Sequence, residues 1–218
     1  MNGSGGNLAG CATCAGRCCR EYRVEVMVRD VRILAEGTAL HPREFLWLRD
    51  SGGPNGFQLL PGGNGVELHL RRHAPSGACV FLMEMAPGVA RCGVYTHRPL
   101  VCRNFPAALE RGSVGLRTNV KCGPDSWNLA TMDLCAYRRD LSLAQAAQAE
   151  HHQLVKAWNT RIAEESRTAT EDELYDYVLT AAPPGAVPPG AVPPGAVPPG
   201  ATPVVLPTPP RPPAPAAT

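Results

Sequence analysis

The sequence predicts an α+β protein: a small, irregular, cysteine-rich metal-binding domain of short strands and helices, then a C-terminal helical segment, then a disordered Pro-rich tail. Three observations lead there. Eight of the nine cysteines fall between positions 11 and 122, and four of them, Cys11, Cys14, Cys18 and Cys19, crowd into nine residues. Brief apolar runs bounded by Gly, Pro and Asn fill the space between the cysteines, which is the pattern of short strands and turns. Beyond Cys135 the pattern becomes helical, and from Pro183 the chain is almost only Pro, Ala, Gly, Val and Thr. The expected divisions are a leader over 1–10, the cysteine-cluster domain over 11–140, a helical cover over 141–181 and the tail over 182–218.

The elements follow in order. The Gly/Ser/Asn leader has neither the basic start nor the apolar core of a signal peptide. Tyr22–Val26 alternates in the strand sense. Asp30 is expected to open a short helix carrying Val31, Ile33, Leu34 and Ala35, with Gly37 as its stop. Pro42 opens a second one, with Phe45, Leu46 and Leu48 on its buried side. Phe57–Leu60 and Val66–Leu70 read as two strands joined by Pro61–Gly65, with Val66, Leu68 and Leu70 on one face and Glu67 and His69 on the other. A strand-like stretch over Ala78–Leu82 carries Cys79. Ser142 with Gln145 forms a capping-box pattern before Leu143, Ala147, His151, Leu154, Val155, Trp158 and Ile162, and Thr170 with Glu173 forms another. Four copies of Pro-Pro-Gly-Ala-Val/Thr run from Pro183 to Thr202; their period of five excludes collagen, which needs Gly every third residue. Such a segment is expected to act as an extended tether.

Composition narrows the function classes. Fifteen of the 23 prolines lie beyond position 182, which leaves about 180 residues, enough for one domain or for one domain with a helical appendage. Only 6% of residues are aromatic, a modest supply for such a core. A structural zinc, worth roughly 10–16 kcal/mol of apparent binding free energy in small domains, would offset that shortfall. The net charge of +2 comes from scattered arginines, with no basic stripe, so no nucleic-acid partner is expected. No run of 18 apolar residues exists, so no membrane span is expected. Without export the chain is expected to be cytoplasmic, and dense thiols in a reducing compartment read as metal or redox chemistry before disulfides.

Thiolates select zinc, iron–sulfur clusters or copper(I). Cys11 and Cys14 form a C-x-x-C chelate, one half of a site. The adjacent Cys18 and Cys19 leave the backbone in different directions and are expected to serve different ligand positions. Cys79, Cys92, Cys102 and Cys122 complete the candidate set, whereas Cys135, on an expected helix with Leu134 and Tyr137, reads as a buried small hydrophobe. Two zinc ions without shared ligands use eight thiolates and a four-iron cluster uses four. The eight cysteines through Cys122 match the first count, and a cluster with spare redox-active thiols matches equally well. His41, His69, His73 and His97 stand at no tight ligand spacing to a cysteine and are expected at the surface, while His151 and His152 read as structural.

The run Cys11-x-x-Cys14-x-x-x-Cys18-Cys19, then Cys79-Val-Phe-Leu, Cys92-Gly-Val-Tyr-x-x-Arg98-Pro99 and Cys102-Arg103-x-Phe105-Pro106, resembles the YkgJ-type cysteine-cluster family of zinc- or iron-chelating domains. The similarity spans about residues 11 to 135. It implies metal chelation through the matched cysteines. Family members are often labelled Fe–S oxidoreductases, and a related arrangement occurs in flagellin lysine N-methylases. This chain lacks a recognisable long methyl-donor domain, which puts methyl transfer in doubt. Arg98 and Arg103 can neutralise a thiolate cluster or pair with a carboxylate; Tyr95 and Phe105 can shield a metal from water.

The expected function is therefore a metal-binding protein holding zinc, iron or a 4Fe–4S cluster. The alternatives are an Fe–S oxidoreductase or electron carrier, and a zinc-stabilised adaptor that engages a protein partner through its Pro-rich tail. No nucleotide-binding fingerprint, P-loop or Ser/His/Asp arrangement is present to define an enzyme.

Overall fold

The computed structural model describes residues 15–118, 120–122 and 126–182. The expected leader, Cys11, Cys14 and the Pro-Pro-Gly-Ala-Val repeats lie outside the described residues. The described elements belong to one compact unit. They are α1 (Arg17–Glu21), α2 (Val28–Thr38), α3 (Pro42–Phe45), β1 (Leu46–Asp50), β2 (Phe57–Gln58), β3 (Gly65–Leu70), β4 (Leu82–Ala86), β5 (Val89–Cys92), a 3-10 turn at Tyr95–His97, α4 (Leu100–Asn104), β6 (Ala107–Glu110), β7 (Ser113–Leu116), a 3-10 turn at Leu129–Thr131, α5 (Leu134–Glu165) and α6 (Glu171–Thr180). The class is α+β, with short strands, small sheets and a helical C-terminal part, as the sequence predicts.

β3 is the centre of a three-stranded antiparallel sheet ordered β1-β3-β2. Leu46 pairs with Leu70, Leu48 with Leu68 and Phe57 with Val66. Leu46, Phe57, Leu68 and Leu70 enter the main core with Val31, Leu34, Leu154, Trp158 and Leu174. The helix expected from Pro42 lasts four residues, and Leu46 and Leu48 belong to a strand instead. A single helical turn is marginal. Five register pairs with β3 give those backbone groups ladder partners and bury Leu46.

α2 begins two residues before Asp30 and passes through Gly37 to Thr38. Gly37 is not the stop. A Cβ there would lie 2.4 Å from the His97 ring, so the missing side chain admits the Tyr95–His97 turn against the helix. α5 starts eight residues before Ser142. Asp133 caps it by accepting the Ala136 N–H at 2.9 Å, and Tyr137 and Leu141 bury that first stretch against Ala107 and Met132 in a second, smaller core. Cys135 sits there exposed, not buried as expected. Further along, Leu154, Trp158 and Ile162 recur at four-residue spacing and are fully buried. Trp158 Nε1 donates to Gln58 O at 2.7 Å, and Asn159 Oδ1 accepts from Gln58 N at 2.8 Å, so the helix closes the edge of β2. The Thr170–Glu173 capping box forms as expected at the start of α6. Arg32 of α2 closes the other end, donating to Val178 O at 2.7 Å and to Ala181 O.

His151 of α5 accepts the Val28 N–H at its Nδ1, 3.3 Å away, at the first turn of α2. Only the neutral ring can accept there. Burial, then the neighbouring His152, hold its pKa down to about 4 from the ordinary 6.5. The unfolded chain therefore takes up this proton first as pH falls, and the contribution is complete above about 6.5 and lost toward 4. A loss of about 2 kcal/mol is expected between pH 7.5 and pH 5. Urea unfolding of the native chain and His151→Gln at both pH values checks this, with the difference absent in the variant.

Candidate metal centre

Four separate elements and loops bring cysteines to one cavity of about 1340 Å³. Cys18 and Cys19 come from α1, Cys79 from the loop before β4, Cys92 from the end of β5 and Cys102 from the middle of α4. Cys79 is buried and the other four are partly buried. Cys18, Cys19, Cys79, Cys92, Cys102 and Cys135 are free thiols.

Local chemistry fixes each one. α1 starts at Gly16, whose φ of 72° is left-handed backbone that glycine adopts freely, and a Cβ there would meet Leu82 at 2.7 Å. Tyr22 N–H closes the far end of α1 on Cys18 O at 3.0 Å. Arg72 reinforces it, donating to Tyr22 O at 2.6 Å and to Arg20 O, a cation at a helix C-terminus. Cys79 N–H donates to Cys19 O at 2.8 Å, which ties the Cys79 loop directly to α1. Cys92 lies opposite Leu82 across the β4–β5 hairpin. α4 is anchored at both ends. Asp30 Oδ1 accepts the Leu100 N–H at 2.9 Å while its Oδ2 accepts Met27 N–H at 3.1 Å. At the other end Arg103 pairs with Asp140 of α5 at 2.9 Å, and Asn104 donates to Asp140 O at 3.3 Å.

Cys18 and Cys19 do not point apart as the sequence reading expects: their sulfurs are 3.9 Å from one another. That matches the spacing of about 3.8 Å that 2.3 Å zinc–sulfur bonds impose in a tetrahedron. Among the described residues no third cysteine sulfur joins that pair within 4.8 Å of both. The Cys19 thiol holds Cys18 down at about 7, with help from the Cys19 backbone and Arg98. Cys19 is pushed up by its hydrogen bond to Cys18, by burial, and by the charges of Cys18, Cys79 and Cys102. Burial raises Cys79, Cys92 and Cys102, with neighbouring thiolates adding to it. A soft cation arriving among these thiols would displace protons, and its charge would remove the mutual repulsion. The donor set therefore fits a thiophilic metal.

The two motif arginines separate in role. Arg103 is committed to Asp140. Arg98 stacks on Tyr95 with its guanidinium carbon 3.9 Å from the ring centroid, and its charge lowers Cys18, Cys92 and Cys102. Tyr95 and Phe105 line the same cavity. Cys122 is partly buried in the wall of a smaller cavity of about 420 Å³, beside Trp127 and Pro106. The two cavities share Arg117 and Val120.

Three structural residues escaped the sequence reading. Asp30 and Arg72 hold cysteine-bearing helices through backbone groups, a role no motif announces. His69, expected at the surface, is 4% exposed. The remaining histidines of the set differ: His73 is exposed, and His41 and His97 are partly buried.

No helix among the described residues is long and apolar enough to cross a membrane. No curated protein and no solved structure matches the chain. A family model does match, over residues 10–123, named CxxCxxCC and described as "Putative zinc- or iron-chelating domain". The chain places three residues between Cys14 and Cys18 where the pattern in that name has two. With the match covering more than half of its length, the chain belongs to the CxxCxxCC family of zinc- or iron-chelating domains.

Proposed function

We propose that this protein holds zinc or iron through Cys18, Cys19, Cys79, Cys92 and Cys102, joined by Cys11 and Cys14 from the same cluster, and that Cys122 stands by as an adjoining ligand. One observation carries the reading: five cysteines, spread over 85 positions from Cys18 to Cys102, line a single cavity. Chance burial of small hydrophobes would not gather thiols from α1, a loop, β5 and α4 against one another's charge. The metal, when bound, supplies a positive centre that keeps the sulfurs as thiolates. The chain's own part is to hold them: Arg72 fixes α1, Asp30 and Asp140 fix α4, and Arg98 offsets negative charge.

An iron–sulfur centre is the second reading, since its thiolates sit on separate irons and need not all approach one another. No third sulfur stands within 4.8 Å of both Cys18 and Cys19 among the described residues, whereas one tetrahedral zinc wants all its sulfurs near 3.8 Å. Purification without oxygen, followed by elemental analysis and a visible spectrum, separates the cases. Zinc gives a colourless protein. An iron–sulfur centre gives a brown one whose absorption bleaches on reduction. A protein that carries neither metal after reconstitution with each would sink the reading.

A further inference from the structure

Away from the cysteines, the chain from Val24 to Val26 lies along β3 as a short extra strand. Val26 N–H donates to Leu68 O at 2.8 Å and Leu70 N–H to Val24 O at 2.9 Å. Those two bonds bracket Glu25 and His69, which face each other as a bridge pair. A pair bracketed in this way is the non-hydrogen-bonded kind, where side chains approach closely. Glu67, two residues before His69, shares its face of the strand. The result is two carboxylates and an imidazole whose potential ligand atoms all lie within 4.8 Å of one another.

Two features of this trio lack an internal explanation. His69 is 4% exposed; its Nε2 meets Glu67 Oε2 at 3.1 Å, yet its buried Nδ1 has no hydrogen-bond partner among the described residues. A buried ring nitrogen left so costs on the order of 1–3 kcal/mol, and coordination of a cation offsets such a cost. The second is charge. Glu25 and Glu67 converge, yet among the described residues neither forms a salt bridge with Arg or Lys; Arg49, opposite Glu67 on β1, does not close to that distance. Like charges at this range repel one another, and a cation between them removes that repulsion.

We infer that Glu25, Glu67 and His69 form a second cation site, built of oxygen and nitrogen donors, for a divalent first-row metal ion. Imidazole with carboxylates suits manganese, iron(II) or zinc, in contrast to the thiolate set. Both glutamates also line the large cavity that the cysteines share, so an ion held there stands in the wall of the same chamber. The inference does not depend on the cysteine reading.

Manganese(II) tests it, because this ion prefers oxygen donors and leaves thiolates aside. The full chain is titrated with manganese(II) while the electron paramagnetic resonance signal of the unbound ion is followed. One bound ion per chain is expected, weakened by more than about tenfold in Glu67→Gln and in Glu25→Gln. Glu25 is exposed, so its variant reads the site without disturbing the core. The zinc or iron content of both variants should equal that of the native chain, and circular dichroism should be unchanged. Absent binding to the native chain, or binding that neither substitution weakens, overturns the site; loss of zinc or iron in a native chain that still takes up manganese sinks only the cysteine reading.

Discussion

Cys102→Ser is expected to empty the cysteine centre and to cost most of the folding stability. Cys102 sits on α4, between the cap that Asp30 places on Leu100 and the Arg103–Asp140 ion pair. Its thiol faces the same cavity as four others. Serine keeps the shape, but its hydroxyl is a poor ligand for a soft cation. If the proposed centre is a structural zinc, worth roughly 10–16 kcal/mol in small domains, removing one thiolate forfeits several of them, comparable with the whole stability of a domain. Elemental analysis and thermal unfolding read both consequences. Cys135→Ser, on the exposed face of α5, is the matched control and should change stability by less than about 0.5 kcal/mol. Metal retained with an unaltered melt in Cys102→Ser would refute that ligand.

Asp30→Ala is the second large effect, expected to destabilise by about 3–5 kcal/mol. The Asp30 side chain is 1% exposed and accepts two backbone N–H groups, from Met27 and from Leu100. Burial pushes its carboxyl above the ordinary range while those two bonds pull it back. Alanine leaves two donors at helix starts with no acceptor, each costing about 1–3 kcal/mol. Asp30→Asn retains one carbonyl oxygen and should fall between. Because Leu100 opens the helix that carries Cys102, the metal content of Asp30→Ala should drop along with its melting temperature. A melt within about 1 kcal/mol of native would show that these two bonds contribute little.

How far the sequence could be read depended on whether a signal was local. Thr170 and Glu173 lie three positions apart on one helix turn, so their capping box was legible and forms. The alternation in Val66–Leu70 put Leu68 and Leu70 in the core correctly. Leu46 and Leu48 were misread because β3, 20 residues on, turns them into a strand. Gly37 was misread because the reason for it is the His97 ring, 60 positions away. Ser142 looked like a helix start because its capping pattern is locally sound, yet Asp133 and the burial of Tyr137 carry the helix further back.

The same division holds at the site. Cysteine content, the C-x-x-C-x-x-x-C-C run and the downstream motifs are properties of residue identity and short spacing, and they were sufficient to nominate thiolates and to recognise the family. Distance in space is not contained in such spacing. That Cys18 and Cys19 approach to 3.9 Å, that Arg103 answers Asp140 while Arg98 stacks on Tyr95, and that Glu25 arrives opposite His69 are outcomes of register and helix packing. Each depends on contacts between segments tens of residues apart, whose closure is decided by the cooperative burial of the whole core rather than by any local preference.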